Sequence, residues 1–192
     1  MPETPPTLLF VIGPPAVGKM TVGAEIAQLT GFKLLHNHMT IELLLRLFDF
    51  DSDAFQRLNE EFRHRILQEA ANSDLPGLIF SCVWTFDVPG DAGIVAGYAQ
   101  PFRDRGARVL FLELAAPQSV RLVRNAGATR LAEKHSKRDL EWSDNNLRAM
   151  DERHRMNSDG EFTGRDDHLL IDNTDLSPAQ AAQRAVEYFK LN

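Results

Sequence analysis

The feature that most constrains this chain is a glycine-rich stretch that directly follows an apolar run. The run "LLFVI" (8–12) leads into "GPPAVGKMTVG" (13–23), which contains the spacing Gly-x-x-x-x-Gly-Lys. Glycines at these places let backbone amides approach a phosphate closely, and the lysine adds a positive charge. The stretch therefore predicts a nucleotide-binding phosphate loop between a strand and a helix. Its predicted contacts are Gly13, Pro14, Pro15, Ala16, Val17, Gly18, Lys19, Met20 and Thr21.

The residue after the lysine departs from this pattern. Ser or Thr normally stands there, and its hydroxyl ligates the Mg²⁺ ion of the bound nucleotide, whereas this chain has Met20. Thr21 supplies a hydroxyl one position later, but a helix turns by about 100° per residue, so Thr21 cannot substitute without a shift of the loop. Nucleotide oxygens, waters and one carboxylate could still hold the ion. We expect ATP and Mg²⁺ as cofactors, with Thr21 as the candidate metal ligand.

Apolar runs that alternate with stretches of helical period predict a parallel α/β fold. A chain of 192 residues is long enough for one buried core and short for two, so we expect one domain over residues 1–192. The predicted strands are 8–13, 33–38, 78–84, 108–114 and 168–173. Apolar faces of predicted helices are Val22, Ile26 and Leu29; Ile41, Leu44, Leu45 and Phe48; Phe55, Leu58, Phe62 and Ile66; and Ala182, Ala185, Val186 and Phe189. The last of these helices opens with a capping-box pattern at Ser177.

Composition narrows the class of function. The chain has 21 basic and 27 acidic residues, and the net charge of −6 disfavours a nucleic-acid or anionic-membrane partner. Cys82 is the single cysteine, which excludes an internal disulfide and fits a reducing compartment. The amino-terminal segment matches neither a signal peptide nor a membrane span, so a cytoplasmic location is expected. The sequence does not indicate an oligomeric state.

On the strength of "GPPAVGKMTVG" and the order of elements, the chain resembles small P-loop kinases of the shikimate kinase, gluconate kinase and adenylate kinase type. The residues of this stretch are similar to those of a branch of proteins that is described as ATP-binding or shikimate-kinase-like. The resemblance implies a three-layer α/β/α fold with a five-stranded parallel sheet of order 2-3-1-4-5. It also implies ATP-dependent phosphorylation of a small hydroxyl-bearing molecule. The alternative is a nucleotide-binding protein without kinase turnover, which Met20 favours.

Two histidines stand at the end of the predicted second strand, where the related kinases carry an acidic residue. Alternation along a strand places His36 and His38 on the same face. His38 could then orient or deprotonate an acceptor hydroxyl, with Glu42 one helical turn away as its partner. The alternatives are hydrogen-bonded structural histidines or substrate contacts, and, as a third option, a zinc site.

Further candidate residues of the acceptor pocket lie on both sides of the third predicted strand in the chain. Trp84 and Asp87 would lie beside the pocket, although packing and helix capping by Asp87 or Asp91 explain them equally well. Arg63 and Arg65 resemble, by placement, the arginine with which such kinases grip an anionic acceptor. The sequence does not decide which of the two faces inward.

A basic segment and a late loop complete the predicted site. Residues 121–140 are expected to form a lid insertion, and its basic residues are Arg121, Arg124, Arg130, Lys134, Lys137 and Arg138. Arg124 and Arg130 are the predicted phosphate contacts, and a solvated charged face is the alternative. In similar kinases the loop after the fifth strand lies against the adenine base. Asn173 and Thr174 are therefore candidate base contacts, although loop chemistry accounts for them as well.

Overall fold

The sheet of the molecule is parallel and has five strands. The structure is a computed structural model and describes residues 6–127 and 140–191. The strands are β1 (Thr7–Ile12), β2 (Lys33–His36), β3 (Gly77–Ser81), β4 (Val109–Ala115) and β5 (His168–Asp172). Their order in the sheet is β2-β3-β1-β4-β5, and each neighbouring pair is parallel. The predicted fold class and strand order are confirmed.

Helices connect and cover these strands. They are α1 (Lys19–Thr30), α2 (His38–Leu44), α3 (Asp53–Ala71), α4 (Asp91–Arg103), α5 (Gln118–Asn125), α6 (Leu140–Arg153) and α7 (Pro178–Phe189). Among the residues described, none of these helices has both the length and the apolar character that a membrane crossing requires.

Two apolar cores lie on the two faces of the sheet. Because side chains alternate along a strand, Leu8, Phe10 and Ile12 of β1 enter one core and Leu9 and Val11 enter the other. The first core is covered by α3 and α4, and the second by α1 and α7. The result is the three-layer arrangement that near-continuous apolar strands require.

The ends of two helices show how local sequence determines local structure. In α7 the Ser177 hydroxyl accepts a hydrogen bond from Gln180 N, and the Gln180 side chain accepts one from Ser177 N, so the predicted capping box is present. In α3 the predicted apolar face is only partly right. Phe55 is buried, but Phe62 and Ile66 are 38% and 40% exposed.

The reason lies in a rotation of the buried face along α3. Its first turn packs Phe55 against Phe50, with ring centroids 4.9 Å apart. Its last turns place Leu67, Ala70 and Ala71 in the core of the sheet. A 19-residue helix that crosses a twisted sheet contacts different partners at its two ends, so one periodic stripe does not describe it.

Buried Glu113 is a polar exception in the middle of β4. Its carboxylate is fully buried and lies 2.8 Å from His168 Nε2, and it accepts hydrogen bonds from Asn157 Nδ2 at 2.8 Å and from Ser158 N and Oγ, each at 2.7 Å. Although desolvation acts in the opposite direction, these hydrogen bonds lower the pKa of Glu113. The carboxylate thereby fixes the chain segment after α6 against the sheet.

Candidate functional site

The phosphate loop is built from backbone conformations that only certain residues adopt. Gly13 has a φ of 131° and Gly18 a φ of 107°. A Cβ on Gly13 would lie 2.3 Å from the carbonyl oxygen of Leu114, so a side chain there is excluded by space as well as by conformation. Gly18 is the N-cap of α1, which places the amino end of that helix at the loop. The predicted strand–loop–helix context is therefore present.

Lys19 folds back over the loop. Its ammonium group donates hydrogen bonds to the carbonyl oxygens of Gly13 at 2.6 Å and Pro14 at 2.8 Å. This holds the positive charge beside a cavity of about 310 Å³. The lining of the cavity includes the loop from Ala16 to Val22 and, from other elements, Asn37, Ser81, Arg124 and Asn173. Among the described residues that line it, the charged ones are cations, which suits a polyphosphate.

The oxygen donors of this cavity are neutral. Thr21 lines it, and its hydroxyl donates a 2.9 Å hydrogen bond to Gly18 O. Ser81 stands at the end of β3, and Asn37 follows the end of β2. Hydroxyl and amide oxygens fit a Mg²⁺ ion that keeps waters and nucleotide oxygens as its other ligands. Across the described part of the chain, no three His, Cys, Asp or Glu side chains cluster as metal ligands do, which leaves the zinc alternative without support there.

Arg124 and Asn173 hold the outer side of the loop. Arg124 donates to Val17 O at 3.2 Å, to Asn173 Oδ1 at 3.1 Å and to the carbonyl oxygens of Asn173 at 2.7 Å and Thr174 at 3.1 Å. Asn173 Nδ2 donates to Val17 O at 2.8 Å. The structure thus brings three predicted site residues together at the loop. Arg130, the other predicted phosphate contact, lies outside the described residues, as do Lys134, Lys137 and Arg138.

Asp151 on α6 is a supporting residue that sequence reasoning missed. It receives hydrogen bonds from buried Arg121 at 3.1 Å and 2.5 Å and from Gln118 at 2.8 Å. Arg121 also donates to Pro15 O of the loop, at 3.3 Å. This buried ion pair connects α5, α6 and the phosphate loop. Arg121 and Asp151 are 30 positions apart in the chain, so no local pattern in the sequence indicates their pairing.

A second cavity, of about 220 Å³, lies between α3 and α4 at the end of β3. Arg63, Cys82 and Tyr98 line it. Arg63 Nε donates to Thr40 Oγ1 and Arg63 Nη2 donates to Asn37 O, both at 3.1 Å. The side chain of Arg65 is 70% exposed and pairs with Glu69 at 2.6 Å on the surface. Arg63 is therefore the inward-facing arginine of the two, because the two positions between Arg63 and Arg65 turn a helical side chain by about 200°.

The two cavities adjoin each other. Ser81 lines the first and Cys82 lines the second, because consecutive residues at the end of a strand point in opposite directions. Asn37, which lines the first cavity, accepts the hydrogen bond from Arg63 of the second. Burial raises the pKa of the Cys82 thiol to about 11, although the charges of Arg63 and Lys19 act to lower it. The thiol is therefore protonated at neutral pH, as expected of an inert buried cysteine.

The two histidines do not share a strand face. β2 ends at His36, Asn37 is the N-cap of α2 and His38 is the first residue of that helix, so the expected alternation does not apply. His38 is 8% exposed, and its Nδ1 lies 3.4 Å from Glu42 Oε1, which gives the expected pairing across one helical turn. Neither histidine is among the residues that line the two cavities.

Trp84 and Asp87 are not among the residues that line the two cavities, so their predicted contact with an acceptor stays a prediction. β3 ends at Ser81, so Trp84 is in the following loop, where it stacks on Phe86 at 4.7 Å and meets Phe162 edge-on at 5.6 Å. Asp87 accepts a 2.9 Å hydrogen bond from Arg155 N. Although desolvation opposes the shift, backbone hydrogen bonds lower the pKa of Asp87.

Neither aspartate that could cap the fourth helix does so. The N-cap of α4 is Gly90, with no side-chain cap. Asp91 instead accepts hydrogen bonds from the backbone amide of Thr85, at 3.0 Å, and from its hydroxyl. This contact fixes the loop between β3 and α4 at the edge of the second cavity.

Comparison with known proteins places this geometry on a known fold. No protein-family model matches the chain, and no curated protein sequence matches it. Among solved structures, a gluconokinase from Sinorhizobium meliloti has a TM-score of 0.58 at 15% identity, over 98% of this chain and 94% of the other. Shikimate kinase from Acinetobacter baumannii, in complex with shikimate, has a TM-score of 0.55 at 15% identity, over 98% and 94%. APS kinase from Mycobacterium tuberculosis, in complex with AMPPNP and APS, has a TM-score of 0.60 at 14% identity, over 98% and 99%.

These likenesses extend over almost the whole chain and concern the fold. The resemblance to P-loop small-molecule kinases is thereby confirmed at the level of architecture. At this identity the comparisons do not specify an acceptor.

Proposed function

We propose that the protein is an ATP-dependent kinase that phosphorylates a small hydroxyl-bearing molecule. The observation that carries this proposal is the pair of adjoining cavities at the carboxyl ends of β1, β2 and β3. One is built around the phosphate loop, and the other lies between α3 and α4 with Cys82 next to Ser81. Ligands of open α/β sheets bind at this edge of the sheet. A donor site and an acceptor site side by side are what phosphoryl transfer needs.

The phosphate loop and the residues that contact it bind the nucleotide. Lys19 and the backbone N–H groups of the loop, which Pro14 and Pro15 lack, bind the phosphates, and Asn173 and Thr174 contact the base. Mg²⁺, when bound with ATP, neutralises phosphate charge, and Thr21 with Asn37 and Ser81 supplies oxygen donors toward it. Arg124 stabilises the transferred group once the nucleotide offers it a stronger acceptor than backbone carbonyls.

The reaction is a displacement at phosphorus. The acceptor oxygen forms a bond to the γ-phosphorus, the bond between that phosphorus and the β–γ bridging oxygen breaks, and ADP leaves. The proton of the hydroxyl passes to a base; the base predicted from the sequence is His38, which does not line either cavity and lies 3.4 Å from Glu42 Oε1. Catalysis is mainly positioning and electrostatics. The roles of Arg130 and of residues 121–140 as a lid stay predictions from the sequence.

A second function is favoured by one observation. Met20 stands in place of the hydroxyl residue, and the described lining of the first cavity offers neutral oxygens to a metal ion. A site with these residues fits a protein that binds a nucleotide but does not transfer its phosphoryl group. The two functions differ in how binding depends on Mg²⁺.

A calorimetric titration of ATP, with and without Mg²⁺, separates these functions. The kinase proposal expects binding that Mg²⁺ tightens, loss of binding in Lys19→Ala, and unchanged binding in Lys33→Ala, an exposed lysine at the start of β2. Binding indifferent to Mg²⁺ would favour the nucleotide-binding protein. Absence of ATP binding by the unmodified chain would overturn both.

The catalytic role of His38 needs its own readout. His38→Gln keeps a polar group and removes the base, so turnover with an acceptor should fall while the ATP affinity is retained. The control is His64→Gln on the exposed side of α3. Unchanged turnover in His38→Gln would leave His38 a structural residue.

A further inference from the structure

The second cavity has an unusual balance of charge for a site expected to grip an anion. Its charged lining residues are one cation, Arg63, and two carboxylates, Glu60 and Asp91. The other titratable groups of its wall are neutral at pH 7, because burial raises the pKa of both Cys82 and Tyr98. The wall therefore carries a net charge of −1, from one positive and two negative groups.

The single cation is already bound within the protein. Arg63 donates from Nε to Thr40 Oγ1 and from Nη2 to Asn37 O, each at 3.1 Å. It also hydrogen-bonds the side chain of Tyr98. An arginine that binds a carboxylate uses two parallel N–H groups of its guanidinium, and here one such pair, Nε and Nη2, joins α3 to α2 instead. Arg63 thus has a structural role, because it connects α3 to α2.

The two carboxylates differ in how they are used. Asp91 accepts the hydrogen bonds of Thr85. Glu60 lies one helical turn before Arg63 and is exposed at the mouth of the cavity. Within the ranges 6–127 and 140–191 it takes part in no hydrogen bond or ion pair, although its charge acts on Tyr98. A carboxylate in this position is available to a ligand.

The cavity is also polar along its length. Buried Cys82 feels the positive charges of Arg63 and Lys19 and the negative charge of Asp91, whereas Glu60 is exposed. A ligand that places its hydroxyl toward Lys19 and a positive group toward Glu60 matches both ends. Shikimate, the ligand of the Acinetobacter baumannii structure, is a carboxylate and has the opposite charge.

We propose that the cavity between α3 and α4 takes a small alcohol that carries a protonated amino group, with the amino group at Glu60 and the hydroxyl toward the phosphate loop. This inference rests on the proposed kinase function, which makes that cavity the acceptor site. Phosphoryl transfer is then to the hydroxyl of an amino alcohol, such as an amino sugar or aminocyclitol by chemical class.

Three probes of one size test the charge preference. Ethanolamine, ethylene glycol and glycolate share a two-carbon hydroxyl skeleton and carry positive, zero and negative charge at neutral pH. Each is titrated into the full ¹⁵N-labelled chain, and amide shifts are followed at Arg63, Cys82, Val83 and Tyr98. Ethanolamine should give saturable shifts at these amides and bind more tightly than the other two. Equal or tighter binding of glycolate, or no saturable shift with ethanolamine, overturns the proposal.

A matched pair of variants tests whether the preference for a positively charged ligand arises at Glu60. Glu60→Gln removes the charge at the cavity and should weaken ethanolamine binding about threefold, the size expected for a partly exposed ion pair. Glu61→Gln removes the same charge from the next residue of α3, which does not line this cavity, and should leave the affinity unchanged. Equal effects of the two substitutions would mean that only the overall charge of the protein acts, and would overturn the assignment of Glu60.

The same sample keeps the two proposals apart. ATP is titrated separately and followed at the amides of Gly18 and Met20, which line the first cavity. An ATP response without an ethanolamine response removes the amino-alcohol proposal and leaves the kinase. An ethanolamine response without an ATP response removes the kinase and leaves a cation-binding cavity.

Discussion

The two cavities meet at one edge of the sheet but are constructed differently. The proposed nucleotide cavity is lined largely by one contiguous segment, residues 16–22, with Lys19 and Arg124 as its charges. The proposed acceptor cavity is lined mainly by residues of two successive helices, α3 and α4, together with Cys82 and Val83. A site built from backbone depends on a few strained conformations, whereas a site built from side chains changes with single substitutions. The first should therefore be rigid and the second adaptable.

The largest effect is expected for the buried support of the nucleotide cavity. Asp151→Ala leaves Arg121 buried without its carboxylate and should lower the free energy of unfolding by about 3 kcal/mol or more. ATP affinity should fall, since Arg121 holds Pro15 O. Denaturant unfolding and calorimetry measure the two effects.

The control for Asp151→Ala is Asp167→Ala. That residue pairs with Arg165 at the surface, and its loss should cost less than about 1 kcal/mol. Similar losses in the two variants would contradict the view that α6 supports the phosphate loop.

Glycine in the loop comes next. Gly13→Ala forces a Cβ to within 2.3 Å of Leu114 O at a φ of 131°, which should cost about 3 kcal/mol and abolish ATP binding. Gly93→Ala in α4, where a Cβ meets nothing within 4 Å, should instead stabilise the protein by up to about 1 kcal/mol. Thermal unfolding of the pair checks this. A Gly13→Ala protein that binds ATP normally would contradict the view that the first cavity depends on a few strained backbone conformations.

A smaller effect is expected where the cavities share a residue. Arg63→Met removes the hydrogen bonds to Thr40 and Asn37 and should cost about 2 kcal/mol, whereas Arg65→Met should change stability by less than about 0.5 kcal/mol. Binding of both ATP and ethanolamine should weaken in Arg63→Met, because Asn37 lines one cavity and Arg63 the other. If only ethanolamine binding changes, the cavities are independent.

The smallest effect on either site is expected from Glu113, which lies away from both. Because the folded-state pKa of this carboxyl is lowered from its usual 4.5, the carboxylate stabilises the fold at neutral pH. That contribution is lost as the pH falls below 4.5 and through the folded-state value. Glu113→Gln should cost about 1 kcal/mol at pH 7.

The measurement is unfolding by denaturant at several pH values. The difference between wild type and Glu113→Gln should shrink on acidification, while ATP binding at pH 7 is retained. A difference that grows as the pH falls would contradict the sign of the pKa shift.

The contrast between the cavities also explains what could be predicted from the sequence. The strand–loop–helix context of residues 13–19 and the capping box at Ser177 depend on residues close together in the chain, and both were predicted correctly. The strand order, which the resemblance implied, was also correct. Local signals did not show that β2 ends at His36 and β3 at Ser81, so His38 and Trp84 were placed on strands.

Contacts between residues far apart in the chain could not be predicted from a single sequence. Which of Arg63 and Arg65 faces inward depends on the rotation of α3 against α4, and the role of Asp151 depends on α6 meeting α5. Glu60 was not singled out, because a glutamate on a helix surface is ordinary until the opposite wall of the cavity is known.

Because Ser81 and Cys82 are adjacent, neighbouring codons specify the walls of two different cavities. A substitution at position 82 changes the wall of the second cavity, and a substitution at position 81 changes the wall of the first. Under the proposed function, the specificity for the acceptor and the specificity for the nucleotide are therefore open to change one at a time, by single substitutions at position 82 or position 81.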